Sequence, residues 1–457
     1  MAIEGVDANG ISAFLDAIED DPRIEPHGLI IQRHGRRIVE GYWAPHTGDR
    51  SRLVYSLSKS FTGTALGLQI GEGRLSLDDL VSDHLPELFN ATTDERTQRM
   101  KIRHIASMAT GHDREMLLEA SIADRDDPVH GLFTIEPDAE PGTLFAYNQP
   151  PVLALATILQ RLAGESLVDY LRPRVLDPIG VGDFRWAQTS KGVDLGYSGV
   201  HTNLDAIARL GQLYLDDGVW DGRRLLPEGW VADASSVQVP NPQRDEPDWQ
   251  QGYGFQLWMS RHGYRGDGAF GQYMVVLPEQ DVVVAMFSCV EVMQIVLDAM
   301  WLHLLPAMGD DEQAPSADDE ALIERLATLA LPTASERLGG GAPGVLTASF
   351  VRADGAPSNP TVTGVDAMGK RMTIREGEGS FDVPLTAEWT VTDDWFATSA
   401  SRLPDGRLAV DLVMLATPHR LEIELDPAAG TFVARWPTVP LFGAGLATRL
   451  ASMRPPA

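Results

Sequence analysis

Lysine is scarce in this chain: only four of its 37 basic residues are lysines. One of the four lies in the stretch Tyr55-Ser56-Leu57-Ser58-Lys59-Ser60-Phe61, which contains a Ser-x-x-Lys spacing. On a helix that begins at Ser56, residues three apart share a face, so the Lys59 amine reaches the Ser56 hydroxyl. The hydroxyl then sits at the positive end of the helix dipole. The Ser56 backbone N–H, unpaired in a first turn, is free to donate to an oxyanion. A lysine can lose its proton when desolvated and an arginine cannot. A lysine chosen here, in an arginine-rich chain, suits a proton acceptor beside a nucleophile. On spacing alone, a serine-capped surface helix with a solvated lysine fits equally well.

Two more stretches carry polar groups that chemistry can use. Pro141-Gly142-Thr143-Leu144-Phe145-Ala146-Tyr147-Asn148-Gln149 reads as a loop delivering a phenol and two amides. Tyr264-Arg265-Gly266-Asp267-Gly268-Ala269-Phe270-Gly271-Gln272-Tyr273 places glycines inside a strand, which marks close approach of a ligand or another backbone. Such a strand edge can offer an N–H to a substrate carbonyl. Taken singly, the first also reads as a turn before a core tyrosine, and the second as a bend at a sheet edge.

These stretches need elements to hold them. Residues 11–20 read as a short amphipathic helix, and 28–43 as a hairpin turning at His34-Gly35. A helix runs from Ser56 to the breakers Gly71 and Gly73. Residues 151–164 and 203–218 read as helices, the latter with Asn203 as N-cap. Residues 111–142 and 237–251 read as loops. Residues 271–289 hold two apolar strands split by the turn Leu277-Pro278-Glu279-Gln280-Asp281. Composition shifts near residue 310. An acidic, proline-bearing stretch suits a linker, followed by a helix over 321–331. Beyond Gly339-Gly340-Gly341 the apolar pattern has period two, as in Arg420-Leu421-Glu422-Ile423-Glu424-Leu425, and Asp405-Gly406 marks a hairpin. The expected organisation is a large unit over 1–310, a linker and short helix over 311–338, and an antiparallel β domain over 339–457.

Net charge is −28, which makes nucleic acid and anionic membrane surfaces poor partners. Cys289 is the one cysteine, so neither an internal disulfide nor a cysteine-built metal site is expected. The first residues show no basic-then-apolar leader and no run is long enough to span a membrane, so a cytoplasmic location is expected. No pattern reports the oligomeric state.

Taken together and in this order, the three stretches resemble the serine β-lactamase and penicillin-binding-protein superfamily. The likeness is strongest to class C β-lactamase-like serine hydrolases, which include esterases, D-aminopeptidases and aminohexanoate-oligomer hydrolases. Flanking phrases are similar too: Lys59-Ser60-Phe61-Thr62-Gly63, Leu77-Asp78-Asp79-Leu80-Val81, Met108-Ala109-Thr110-Gly111-His112, Gly211-Gln212-Leu213-Tyr214-Leu215 and Val276-Leu277-Pro278-Glu279. The resemblance spans about residues 25–305. It implies an α+β fold, an antiparallel sheet flanked by helices with a helical lobe. It implies Ser56 as nucleophile, with Lys59 and Tyr147 sharing its proton. The oxyanion hole would be the backbone N–H groups of Ser56 and Ala269. Asn148, Gln149, Gly266, Asp267, Gly268 and His112 are the candidate substrate contacts. The implied substrate is a small-molecule ester or amide, with no cofactor and no metal.

Two departures from the family pattern matter. Its Tyr-x-Asn motif reads Tyr147-Asn148-Gln149 here, where Gln149 has an amide one methylene further out. Its Lys-Thr-Gly triplet reads Gly266-Asp267-Gly268, which argues against β-lactams as the main substrate unless Arg265 restores the positive charge. Two other readings stand beside hydrolysis: a transacylase on the same scaffold, and a catalytically silent binding or sensor protein. The chain has no Gly-x-Ser-x-Gly elbow and no His-Glu-x-x-His motif.

Overall fold

The computed structural model describes residues 1–309, 314–355, 357–392, 395–441, 443 and 445–446. The amphipathic N-terminal stretch is helix α1 (Ala8–Asp20), capped by the Asp7 side chain and burying Ile11, Phe14, Leu15 and Ile18. The hairpin follows as β1 (Ile24–Arg33) and β2 (Arg36–Tyr42). Three longer helices come next: α2 (Ser58–Gly71), α3 (Gln149–Ala163) and α4 (Leu204–Leu215). Asn203 caps α4, its Oδ1 accepting from Ala206 N at 2.9 Å. Four strands, β3 (Trp258–Met259), β4 (Tyr264–Gly268), β5 (Gln272–Leu277) and β6 (Val282–Val290), complete a six-stranded sheet of order β2-β1-β6-β5-β4-β3. Every pairing in it is antiparallel.

The apolar strands β5 and β6 are buried along their whole length, as central strands covered by helices should be. Helix α2 is buried from Ser58 to Gln69, so it is a central core helix packed on all sides, its polar residues Ser58, Lys59, Ser60, Thr62, Thr64 and Gln69 included. The loop expected over 111–142 holds two short helices, Leu117–Ala123 and Pro128–Phe133.

The C-terminal part is a second sheet of nine strands with its own apolar core, including Phe350, Ile374, Leu412 and Phe432. Its strands are β7 (Leu346–Arg352), β8 (Val362–Gly369), β9 (Arg371–Glu376), β10 (Gly379–Pro384), β11 (Thr390–Thr392), β12 (Phe396–Arg402), β13 (Leu408–Met414), β14 (Arg420–Asp426) and β15 (Thr431–Arg435). The order is β10-β9-β8-β7-β15-β14-β13-β12-β11, and the end strands β10 and β11 touch, so the sheet is nearly closed. The expectation of purely antiparallel strands needs one correction. β7 and β15 pair in parallel, Val351 opposite Thr431, because the sheet curls until its last strand lies beside its first.

The helix expected over 321–331 is Ala317–Ala327 instead. Ser316 and Asp319 form a capping box, so the acidic residues make the helix's first turn, where they suit its dipole. Residues 310–313 and 447–457 of the expected linker and β domain lie outside the described residues.

Candidate active site

The chain enters the site from a short strand, Arg52–Leu53, which pairs with Val200–Thr202. Tyr55 then takes a left-handed conformation, φ 49°, and Tyr55–Leu57 forms a 3-10 turn. Ser56 therefore stands in the turn leading into α2 and not on its first residue, a correction to the sequence reading. The turn holds because Val54 O accepts from Leu57 N at 3.2 Å. Ser58 Oγ donates to Tyr55 O at 2.6 Å and accepts from Val200 N at 3.0 Å. Lys59, in the first turn of α2, still meets Ser56.

Lys59 is buried, 2% exposed, and all three of its donors are engaged. Nζ donates to Ser56 Oγ at 3.0 Å, to Gln149 Oε1 at 2.8 Å and to the Tyr197 carbonyl at 2.7 Å. Burial moves its pKa down to about 7, against the opposing pull of the Asp267 and Glu115 charges. Its Nζ also lies 4.8 Å from the centre of the Tyr147 ring.

Tyr147 is held by aromatic packing. Its ring stacks on Trp258 at 5.3 Å and meets Tyr253 edge-on at 6.3 Å. Burial, with the Asp267 charge adding to it, pushes the phenol's pKa well up, while a hydrogen bond with Ser56 pulls the other way. Burial thus drives both neighbours of Ser56 toward their neutral forms.

β4 forms the third wall. A Cβ at Gly268 would collide with the Val54 carbonyl oxygen, and one at Gly266 with the Ser60 hydroxyl. The glycines let the strand press against the Ser56 turn. Gly268 admits the Val54 backbone and Gly266 the Ser60 side chain. β3 pairs only with Tyr264 and Arg265, so residues 266–269 are left unpaired on that edge, and Ala269 sits at its end.

Asp267 accepts from Arg265 Nε at 3.0 Å, and both side chains are buried. Burial raises the Asp267 pKa, and the charges of Arg265 and Lys59 hold it back. Arg265 is fully enclosed, its guanidinium 4.2 Å from the Trp249 ring centre. It also donates to the Asp248 and Met259 carbonyls, each at 3.1 Å. Its guanidinium is therefore enclosed in protein and not presented at the site mouth, although its charge reaches the Tyr147 phenol.

The remaining candidates divide. Gln149, the first residue of α3, joins the Ser56–Lys59 cluster through its carbonyl oxygen. Asn148 turns inward instead, its Oδ1 accepting from Met116 N at 3.1 Å. His112 lies apart, its ring nitrogens meeting Thr110 Oγ1 at 2.9 Å and the Ile135 carbonyl at 3.3 Å. His201, another conspicuous histidine, is buried against the Gly199 carbonyl, and burial pulls its pKa down to about 4.

Sequence reasoning missed three contributors. The Tyr197 carbonyl is a backbone group and carries no residue signal. Trp258 is recognisable only once β3 is placed beside Tyr147. Glu115, whose carboxylate accepts from Gln149 N at 3.1 Å, sits in a stretch whose sequence is that of a polar loop. Among the described residues no group of three or more His, Cys, Asp or Glu could hold a metal ion. Nor is any single helix among them long and apolar enough to cross a membrane.

A family profile described as Beta-lactamase matches residues 13–292, more than half of the chain. The chain belongs to the beta-lactamase family. Among the family's relatives, 6-aminohexanoate-dimer hydrolase of Paenarthrobacter ureafaciens is 28% identical over 284 residues, covering 57% of this chain and 71% of its own. Among solved structures, the octameric penicillin-binding protein homologue from Pyrococcus abyssi superposes with a TM-score of 0.52 at 15% identity, covering 91% of this chain and 98% of its own. EstCE1, a hydrolase with promiscuous acyltransferase activity, gives a TM-score of 0.52 at 19% identity, covering 64% of this chain and 99% of its own. At these identities the two structures establish the shared fold.

Proposed function

We propose that this beta-lactamase-family protein is a serine hydrolase that cleaves a small ester or amide through an acyl-enzyme on Ser56. The observation that carries the reading is the Lys59 amine, buried 3.0 Å from the Ser56 hydroxyl with a pKa drawn down to about 7. A neutral amine takes the Ser56 proton as Oγ attacks the substrate carbonyl carbon. The negative charge that develops on the carbonyl oxygen rests on the Ser56 and Ala269 N–H groups. Collapse breaks the bond to the leaving alcohol or amine, which accepts a proton from the Lys59–Tyr147 pair. Water then attacks the acyl ester, and the acid is released as Ser56 regains its proton. The phenol, with its raised pKa, acts as a proton donor and relay in this scheme, and Lys59 is the base.

The enclosed Arg265 argues against β-lactams, since its guanidinium is engaged by Asp267 and the Trp249 ring and is not offered to a substrate carboxylate. The 28% identical relative, a 6-aminohexanoate-dimer hydrolase, favours an amide substrate. A transacylase shares every step up to deacylation and differs only in the acceptor.

The test is intact-mass analysis with a fluorophosphonate probe, alongside turnover of short-chain esters and linear amides. One adduct per wild-type chain and none on Ser56→Ala is the expected result. Undiminished labelling of Ser56→Ala would remove the nucleophile assignment.

A further inference from the structure

The turn between β13 and β14, residues 415–419, reaches out of the second sheet to the rear of the Ser56 turn. The Ala416 carbonyl accepts from Leu53 N at 2.9 Å. The Tyr55 hydroxyl and His419 Nε2 are hydrogen-bonded at 2.6 Å, and both side chains are buried. The His419 ring also packs edge-on against Phe270, with centres 4.7 Å apart, and Tyr55 meets Phe270 at 5.3 Å. Leu53, Tyr55, Phe270 and Cys289 make a small apolar cluster here, separate from the two main cores, with Ala269 packed on it.

Two members of this cluster have unusual backbones. Tyr55 has φ 49° and Phe270 has φ 67°, the left-handed region that bulky side chains avoid. Such conformations persist only where surrounding contacts over-determine them. Tyr55 immediately precedes Ser56, and Phe270 immediately follows Ala269. The backbone of Tyr55 therefore sets the direction of the Ser56 N–H, and Phe270 anchors the chain directly after Ala269, fixing where that residue and its N–H stand. A single side chain from the C-terminal sheet touches both.

We propose that His419 is a positioning residue: by bracing Tyr55 and Phe270 together it aims the Ser56 and Ala269 N–H groups at one point. The C-terminal sheet is then part of the active-site scaffold. The inference rests on the acyl-enzyme reading above and adds to it the group that shapes the oxyanion hole. His419 touches no substrate. It acts on the transition state alone, because the ground-state carbonyl needs the converging N–H pair less than the oxyanion does.

The experiment compares full-length wild type with His419→Ala, His419→Phe, Tyr55→Phe and the double variant Tyr55→Phe/His419→Phe. Five quantities are read: the second-order rate of fluorophosphonate labelling and its pH midpoint, kcat and KM on a chromogenic ester, and the melting temperature. Removing one oxyanion donor outright costs about 10²–10³ in kcat, so misaiming both should slow His419→Ala by about tenfold or more in labelling and kcat. KM should stay within about twofold, since the lost interaction belongs to the transition state. The pH at half-maximal labelling should not move, because His419 does not touch Lys59. Tyr55→Phe and His419→Phe each delete the same hydrogen bond, so the double variant should be no slower than the slower single. Should His419→Ala fail to fold, Tyr55→Phe and His419→Phe, which keep the rings, carry the test. Wild-type rates in both of those variants, or a loss confined to KM, would overturn the bracing role. A wild-type protein that never labels at Ser56 defeats the acyl-enzyme reading itself. Labelled wild type with undisturbed variants defeats only His419.

Discussion

Gln149 Oε1 accepts a hydrogen bond from Lys59 Nζ at 2.8 Å. The partner is an uncharged amide oxygen, so the amine is held in place without being locked as an ammonium. A carboxylate there would lock it. Gln149→Glu should raise the Lys59 pKa by about 1–3 units, as an opposite charge at contact distance does. Labelling at pH 7 should fall by about tenfold or more, and recover as the pH is raised. Labelling rates from pH 5 to 10 check this, and an unmoved midpoint would contradict the role given to Lys59.

In the wild type the same profile has a definite sign. Lys59 must be neutral to accept the Ser56 proton, and burial draws its pKa down to about 7. Labelling should rise with pH through about 7 and level off above it. Below the midpoint it should fall about tenfold per pH unit, the slope of one titrating base. A midpoint above 9 would leave the amine charged at neutral pH and remove it as base.

Asp267 tests the electrostatics from the other side. Its charge raises the Lys59 pKa, so Asp267→Asn should shift the labelling midpoint to lower pH. The same change strands the buried Arg265 without its partner, which costs about 3–5 kcal/mol of stability. The expected variant therefore melts earlier yet keeps a larger fraction of its plateau activity at pH 6. A midpoint that moves upward would show that the Asp267 charge does not reach the amine.

Gly268→Ala probes the close approach of β4. The new methyl group would meet the Val54 carbonyl, a backbone atom that cannot rotate away. Overpacking of this kind costs about 1–3 kcal/mol, and here it would also push Ala269 from Ser56. Both melting temperature and kcat should drop. Gly182→Ala, where nothing lies within 4 Å of the added carbon, is the control that should leave both unchanged.

Much of this arrangement was legible in the residues. Ser56, Lys59, Tyr147 and Gln149 meet as the motifs imply, and the two hairpins and the helices capped by Asn203 and ended by Gly71 stand where their signals lie. What was hidden has physical causes. Whether Arg265 faces the solvent or the core depends on Trp249 and Trp258, which are distant in sequence or on another strand. Asn148 and Gln149 are adjacent amides, and only the start of α3 decides which one faces Lys59. The capping box at Ser316 was present as Ser-x-x-Asp but was masked by its acidic, proline-flanked surroundings. The parallel closure of the second sheet and the contact of His419 with Tyr55 join residues far apart in the chain, and no local pattern reports such pairings.

The parallel contact between β7 and β15 also sets an order of events during synthesis. β7 leaves the ribosome well before its neighbour Thr431–Arg435 exists, so the barrel-like sheet cannot finish closing until that strand has emerged. Pairings this distant are slow because chain entropy must be spent before any contact rewards it. The turn that carries His419 lies between the two strands that precede β15. A nascent chain that already holds Ser56 and Lys59 in place would thus lack a braced rear wall, and competence would arrive only with the final strand.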